Sequence, residues 1–167
     1  EVLLKKKLEQ ATHDFDFMLL DCPPSLGLLT LNALAVAHEV IIPMQPHFLA
    51  LQGVAKLLET VHLVSQRINP QLKVAGIVLT MYDAQTKLTS EVVAELNGFI
   101  EQAKGKPLPW AGAKVFGTKI RRNIKLAESP SFGQTILKYD GASNGAFDYR
   151  NLARELLGLP PLAAPAA

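Results

Sequence analysis

The chain has 167 residues, 49% of them apolar, enough for one domain whose core withdraws roughly 70% of the unfolded chain's surface from water. Its 17 basic and 15 acidic side chains nearly cancel, so bulk charge points to no nucleic-acid or membrane partner, and any such site must come from local clustering. The single cysteine, Cys22, excludes an internal disulfide and fits a reducing cytoplasm, no apolar run approaches a membrane span, and Glu1 to Lys7 lacks the ordered zones of a secretory signal.

Hydrophobic period then predicts the elements in turn. Val2 to Ala11 reads as a short amphipathic helix and Phe15 to Leu20 as a continuous apolar strand. Leu26 to Ala37 follows as a helix, and Glu39 to Pro43 as a short buried strand. The long helix Leu49 to Ile68 places Leu51, Val54, Leu57, Leu58, Val61 and Val64 on one stripe, at steps of three and four. Val74 to Thr80 is the next strand, Leu88 to Ala103 a helix, Val115 to Ile120 a strand and Ala146 to Leu157 the closing helix. Lys104 to Ala113 reads as a loop around the lone Trp110, because Gly105, Pro107, Pro109 and Gly112 break any period. Gly158 to Ala167 is Pro/Ala-rich and reads as a disordered tail behind a domain over residues 1–157. The alternation of helix and strand predicts an α/β fold, a mostly parallel sheet with helices on both faces.

The strand Phe15 to Leu20 ends on Asp21, followed by Cys22-Pro23-Pro24-Ser25. In a parallel sheet that end opens onto the crevice where α/β folds bind ligands, and a carboxylate there can orient water on a Mg²⁺ that bridges phosphates. The competing reading makes Asp21 a cap for the helix that follows. Cys22 reads as a small buried residue, since no cysteine-protease context surrounds it, and Ser25 as a turn or cap residue. His13, His38, His47 and His62 never fall at zinc-ligand spacing.

The run from Asp21 to Leu34 resembles the second acidic motif of ParA-type partition ATPases, the deviant Walker-box relatives of MinD. The resemblance continues through Val40–Gln45, Leu49–Gly53, Gly76–Ala84 and Ile120–Ser131, and ends near Lys138-Tyr139-Asp140 and the helix after it. It implies a partial Rossmann-like P-loop NTPase fold. The family begins with a glycine-rich phosphate loop, however, and no G-x-x-x-x-G-K-[ST] occurs here: the only Gly-Lys step, Gly105-Lys106, runs into Pro107. The chain therefore resembles the C-terminal portion of such an ATPase.

The resemblance implies a role in plasmid or chromosome partitioning, in which ATP closes a homodimer on non-specific DNA and a ParB-type partner stimulates hydrolysis. It further implies a cytoplasmic, nucleoid-associated protein that uses ATP and Mg²⁺ without a membrane. Asp21 would serve as the catalytic, metal-positioning acid. Thr80 and Met81, with Arg121, Arg122 and Asn123, would border the adenine; the family often has proline at the position of Arg121. Lys119, Arg122, Lys125 and Lys87 would meet DNA phosphates, with Gln85 standing where the family commonly has arginine. Without phosphate-binding donors, this chain alone is expected to neither hydrolyse ATP nor bind it tightly. An unpaired sheet edge would invite a second copy. A MinD-like division ATPase is a rival, weakened by Pro160-Pro161 where a membrane helix would stand; a non-catalytic DNA-binding or interaction module is another.

Overall fold

A computed structural model describes residues 3–8, 15–23, 25 and 27–163, the Lys87 side chain excepted. Its elements are α1 (Leu3–Leu8), α2 (Leu28–Val36), β1 (Glu39–Met44), α3 (Phe48–Arg67), β2 (Lys73–Leu79), α4 (Lys87–Ala103), β3 (Lys114–Val115), α5 (Ile124–Glu128), a 3₁₀ turn (Ser129–Phe132), α6 (Ile136–Tyr139) and α7 (Asn144–Leu156).

Three parallel strands stand in the order β1-β2-β3. β1 and β2 run in register from Glu39 opposite Lys73 to Met44 opposite Leu79, with an irregularity between Val40 and Ile41. Covered on both faces, the central β2 buries Gly76, Ile77, Val78 and Leu79 in succession, as a parallel strand between helical layers must. A side chain at Gly76 would place its Cβ 2.3 Å from the Lys114 carbonyl oxygen, so glycine is what lets β3 close on β2.

On one side, α3 contributes Val54, Leu58, Val61 and Val64 and α4 contributes Val92, Leu96 and Ile100 to a core shared with Ile77 and Leu79. A smaller cluster of Val78, Phe116 and Ile120 gathers Leu126 and Leu152 from α5 and α7. Asn69 ties the end of α3 to α2, its amide donating to the Leu34 and Ala37 carbonyls at 3.0 and 2.7 Å. The loop after α4 is anchored by buried Trp110, which meets His62 edge-on at 5.9 Å, and by the Pro109 carbonyl, which accepts from the Val74 N–H at 2.9 Å.

Phe15 to Leu20 is not a strand: it joins no ladder, and Phe15, Phe17 and Leu19 stand 76, 72 and 89% exposed. Apolar period marks a segment able to pair, but a strand exists only where a ladder forms, and this segment forms none although the outer edge of β1 is open among the described residues. Cys22 is exposed rather than buried for the same reason. The cap of α2 falls to Gly27, so Asp21 does not cap it. Val115 to Ile120 keeps only Lys114–Val115 as strand; beyond Gly117 the chain still follows β2 through the Ile120 N–H to the Leu79 carbonyl at 2.9 Å.

By length and composition α3 is long and apolar enough to cross a membrane, contrary to the reading of the apolar runs. Its Val54, Leu58, Val61 and Val64 stripe packs in the core instead. The Pro/Ala-rich end runs back along α7: the Leu159 N–H donates to the Arg154 carbonyl at 2.8 Å, the Arg154 guanidinium to the Pro160 carbonyl, and the Leu162 N–H to Asn151 Oδ1 at 2.8 Å. Residues 164–167 lie outside the described set. So do residues 1–2 and 9–14, which hold both ends of the first helix as read from the sequence.

Candidate functional site

The carboxyl ends of β2 and β3 form one hydrogen-bonded unit. The Thr80 N–H donates to the Met44 carbonyl at 2.9 Å, the Tyr82 N–H to Ile120 at 3.0 Å and the Arg122 N–H to Tyr82 at 3.4 Å, with a parallel bridge between Tyr82 and Arg121. Thr80, Met81, Arg121, Arg122 and Asn123, the residues read as a base site, are thus brought together in space. Met81 is half-exposed with φ +50°, the one non-glycine residue in the left-handed region among those described. Such a conformation in a residue without a short polar side chain persists because the flanking ladder bonds fix both neighbours.

The side chains around this unit are already engaged. Asn123 Oδ1 accepts from the Lys125 and Leu126 N–H groups at 2.8 and 3.3 Å, capping α5. Arg121 makes a two-pronged pair with buried Asp148, Nη2 to Oδ1 at 2.7 Å and Nε to Oδ2 at 3.0 Å, and its own N–H adds a bond to Oδ2 at 3.0 Å. Hydrogen bonding to Asp148 holds the Arg121 guanidinium above its already high value. With both the N–H and the side chain of Arg121 committed to Asp148, the carbonyl of this position is the group left for a ligand.

The basic residues differ in availability. Lys119 Nζ donates to Tyr82 Oη at 3.1 Å and lies 4.3 Å from the centre of that ring. Lys125 Nζ meets Glu128 Oε2 at 2.9 Å, and Tyr139 Oη donates to the same carboxylate at 3.0 Å. The hydrogen bonds from Lys125 first and Tyr139 second hold the Glu128 carboxyl below its ordinary value. The exposed side chain of Arg122 has no hydrogen bond or ion pair among the described residues. Lys87 opens α4 after the turn in which Asp83 Oδ1 accepts the Gln85 N–H at 2.9 Å.

Asp21 is exposed and stands outside this unit. No group of three or more His, Cys, Asp or Glu residues that could hold a metal ion occurs among the described residues. One exposed carboxylate does not make a Mg²⁺ site, so this donor set does not fit the ion by itself.

Sequence reasoning missed Asp148 and Glu155. Glu155 Oε1 and Oε2 accept the Gly117 and Thr118 N–H groups at 2.9 and 2.8 Å, and Lys114 Nζ lies 3.4 Å away. Burial raises this carboxyl, but the backbone bonds from Thr118 and Gly117, joined by Lys114, outweigh it and hold the group below its ordinary value. The available signal was spacing: acids seven residues apart share a helix face, and this face carries the core-packed Leu152.

A parallel sheet with its candidate site at the carboxyl ends of the strands, and helices around it, defines an α/β protein of the P-loop NTPase type. Solved structures agree: cobyrinic acid a,c-diamide synthase from Mycobacterium smegmatis is 35% identical with a TM-score of 0.69, over 93% of this chain and 52% of that one. The same enzyme with bound ATP analogue and magnesium gives 34% identity and 0.69 over 97% and 58%. Residues 1–74 match the family described as an AAA domain. The chain is 46% identical over 94% of its length to the chromosome-partitioning ATPase Soj of Treponema pallidum, of which it covers 58%. It is 42% identical over 94% of its length to the chromosome partitioning protein ParA of Myxococcus xanthus, covering 52% of that protein. The chain is a homologue of the ParA/Soj proteins over 94% of its own length and spans about half the length of the curated relatives it matches.

Proposed function

We propose that the chain is the C-terminal portion of a ParA-type partition ATPase, contributing the adenine-bordering loops and a basic DNA-facing surface to a protein whose phosphate loop precedes it. The observation that carries this reading is the joining of Thr80–Tyr82 to Ile120–Arg122 at the carboxyl ends of adjacent parallel strands, in a chain 46% identical to a partitioning ATPase. Main-chain groups of Arg121 and Arg122, beside Thr80 and Met81, border the base. Arg122, Lys119, Lys125 and Lys87 meet DNA phosphates without reading sequence. In the complete ATPase, Asp21 would contribute one carboxylate to a Mg²⁺ site whose remaining ligands, like the phosphate-binding lysines, the preceding half would supply. ATP then closes a homodimer on DNA, and a ParB-type partner stimulates hydrolysis, in a cytoplasmic protein at the nucleoid.

The complete ATPase for testing is this chain joined to its phosphate-loop half, native or supplied from the Treponema pallidum relative. It is expected to bind unrelated duplexes with similar affinity when ATP is present and to lose that binding without nucleotide, while the 167-residue chain hydrolyses no ATP above background. Sequence-selective binding, or binding indifferent to ATP, would refute the reading. So would turnover by the 167-residue chain.

A further inference from the structure

The link between β3 and α5 is held at both ends by one helix. At its start, Glu155 takes the Gly117 and Thr118 N–H groups; at its end, Asp148 takes the Arg121 N–H together with the Arg121 guanidinium. Both carboxylates lie on α7, seven residues and nearly two full turns apart, so a single rigid element sets the distance between the two anchor points. The middle of the link is fixed to β2 by the Ile120 N–H on Leu79, and its exit by the bonds with Tyr82. Asn144 Oδ1 adds a contact to Arg121 Nη2 at 3.4 Å, and Gly145 allows the close approach of α7 to α5, since a Cβ there would lie 2.6 Å from Leu126 Cγ. Arg121 is thereby turned toward α7, and the main chain of residues 121–122 pairs with Tyr82, the residue that follows Met81 in its left-handed conformation.

We infer that Asp148 and Glu155 are positioning residues which, through the 117–122 link, set the affinity of the site for the nucleotide base, so that α7 governs base recognition without touching the ligand. The inference rests on the base-site reading proposed above. A main-chain edge recognises a base through hydrogen bonds whose strength falls steeply with angle and distance, so a link freed at one end loses affinity for the base while leaving phosphate contacts as they were.

The test is equilibrium binding of ATP and of inorganic triphosphate, which has no base, to the complete ATPase with Asp148→Asn and, separately, Glu155→Gln. Asp148→Asn keeps the shape and leaves Arg121, a half-exposed cation, in water rather than buried and unpaired. The expected result is ATP binding weakened about tenfold with triphosphate binding changed less than about twofold, and faster amide hydrogen exchange at Arg121. Glu155→Gln should move exchange at Gly117 and Thr118 and weaken ATP binding in the same direction, less strongly. Equal loss of ATP and triphosphate binding would assign α7 a general structural role and overturn the inference, as would unchanged ATP affinity with faster exchange. If the unsubstituted protein binds triphosphate as tightly as ATP, the base-site reading itself fails, a result distinct from either of these.

Discussion

Phe15–Asp21 and Gly117–Asn123 both carry candidate functional residues, yet they are held in opposite ways. The first carries apolar side chains at 72 to 89% exposure for Phe15, Phe17 and Leu19 and joins no sheet. The second is scarcely regular, with only Lys114–Val115 before it in strand conformation, but every turn of it is tied to β2 or α7. Side-chain chemistry marked the first; main-chain satisfaction builds the second. A site is formed where backbone donors find fixed partners, and an acid at the end of an apolar run becomes a site only when a neighbouring strand completes the ladder.

The strongest way to break this comparison is through Asp21. In the complete ATPase, Asp21→Ala is expected to lower turnover by about two orders of magnitude or more, whereas in the 167-residue chain it leaves the thermal midpoint where it was. Steady-state hydrolysis beside thermal melts checks both halves; retained turnover would remove the acid from the mechanism. Stability sharpens the contrast next. Leu58→Ala, at a site 2% exposed, should cost about 3 kcal/mol in urea unfolding. Phe17→Ala should cost less than about 0.5 kcal/mol in the same chain, because its ring is already in water.

The basic surface gives a smaller effect. Arg122→Ala should flatten the dependence of log K on log[salt] for DNA by about one unit, evenly across unrelated duplexes. Lys125→Ala should flatten it less, since Glu128 already neutralises that ammonium at 2.9 Å; filter binding at several salt concentrations separates the two. The smallest expected effect is the pH dependence of the Glu155 anchor. Its carboxyl is held below the ordinary 4.5, so its contribution to stability is complete above that value and is lost as pH falls through the lower folded-state value. Melting temperatures of the unsubstituted chain and of Glu155→Gln should therefore differ at neutral pH and converge in acid. A gap that persists below the folded-state value would show that the anchor acts through shape and not charge.

The longer helices and the two long strands were legible in the sequence because each is an uninterrupted periodic run, whereas the short α5 and α6 were not read. α3 and α4 fall within a residue or so of their expected bounds, and β2 was marked by its unbroken apolar stretch. What was not legible depends on partners distant along the chain. Phe15–Leu20 has the composition of a buried strand and lacks a ladder; β3 ends at Val115, and two residues on the Gly117 N–H turns to Glu155, 38 residues further on. The grouping of Thr80 and Met81 with Arg121–Asn123 came from family resemblance, and the structure brings those residues together. That Arg121 spends its side chain on Asp148 could not be read from either residue alone, because a charged residue in an amphipathic helix ordinarily faces solvent.

Pro43 in β1 has a consequence for how the bare edge behaves. The Met44 carbonyl faces β2, where it accepts the Thr80 N–H, so by strand alternation the main chain of Pro43 faces the outer edge and offers a carbonyl with no donor beside it. Identical chains stacking along that edge would forfeit a bond at each copy. The edge is thus a poor seed for cross-β fibril growth, even though the apolar stretch Phe15–Leu20 has the composition that feeds it.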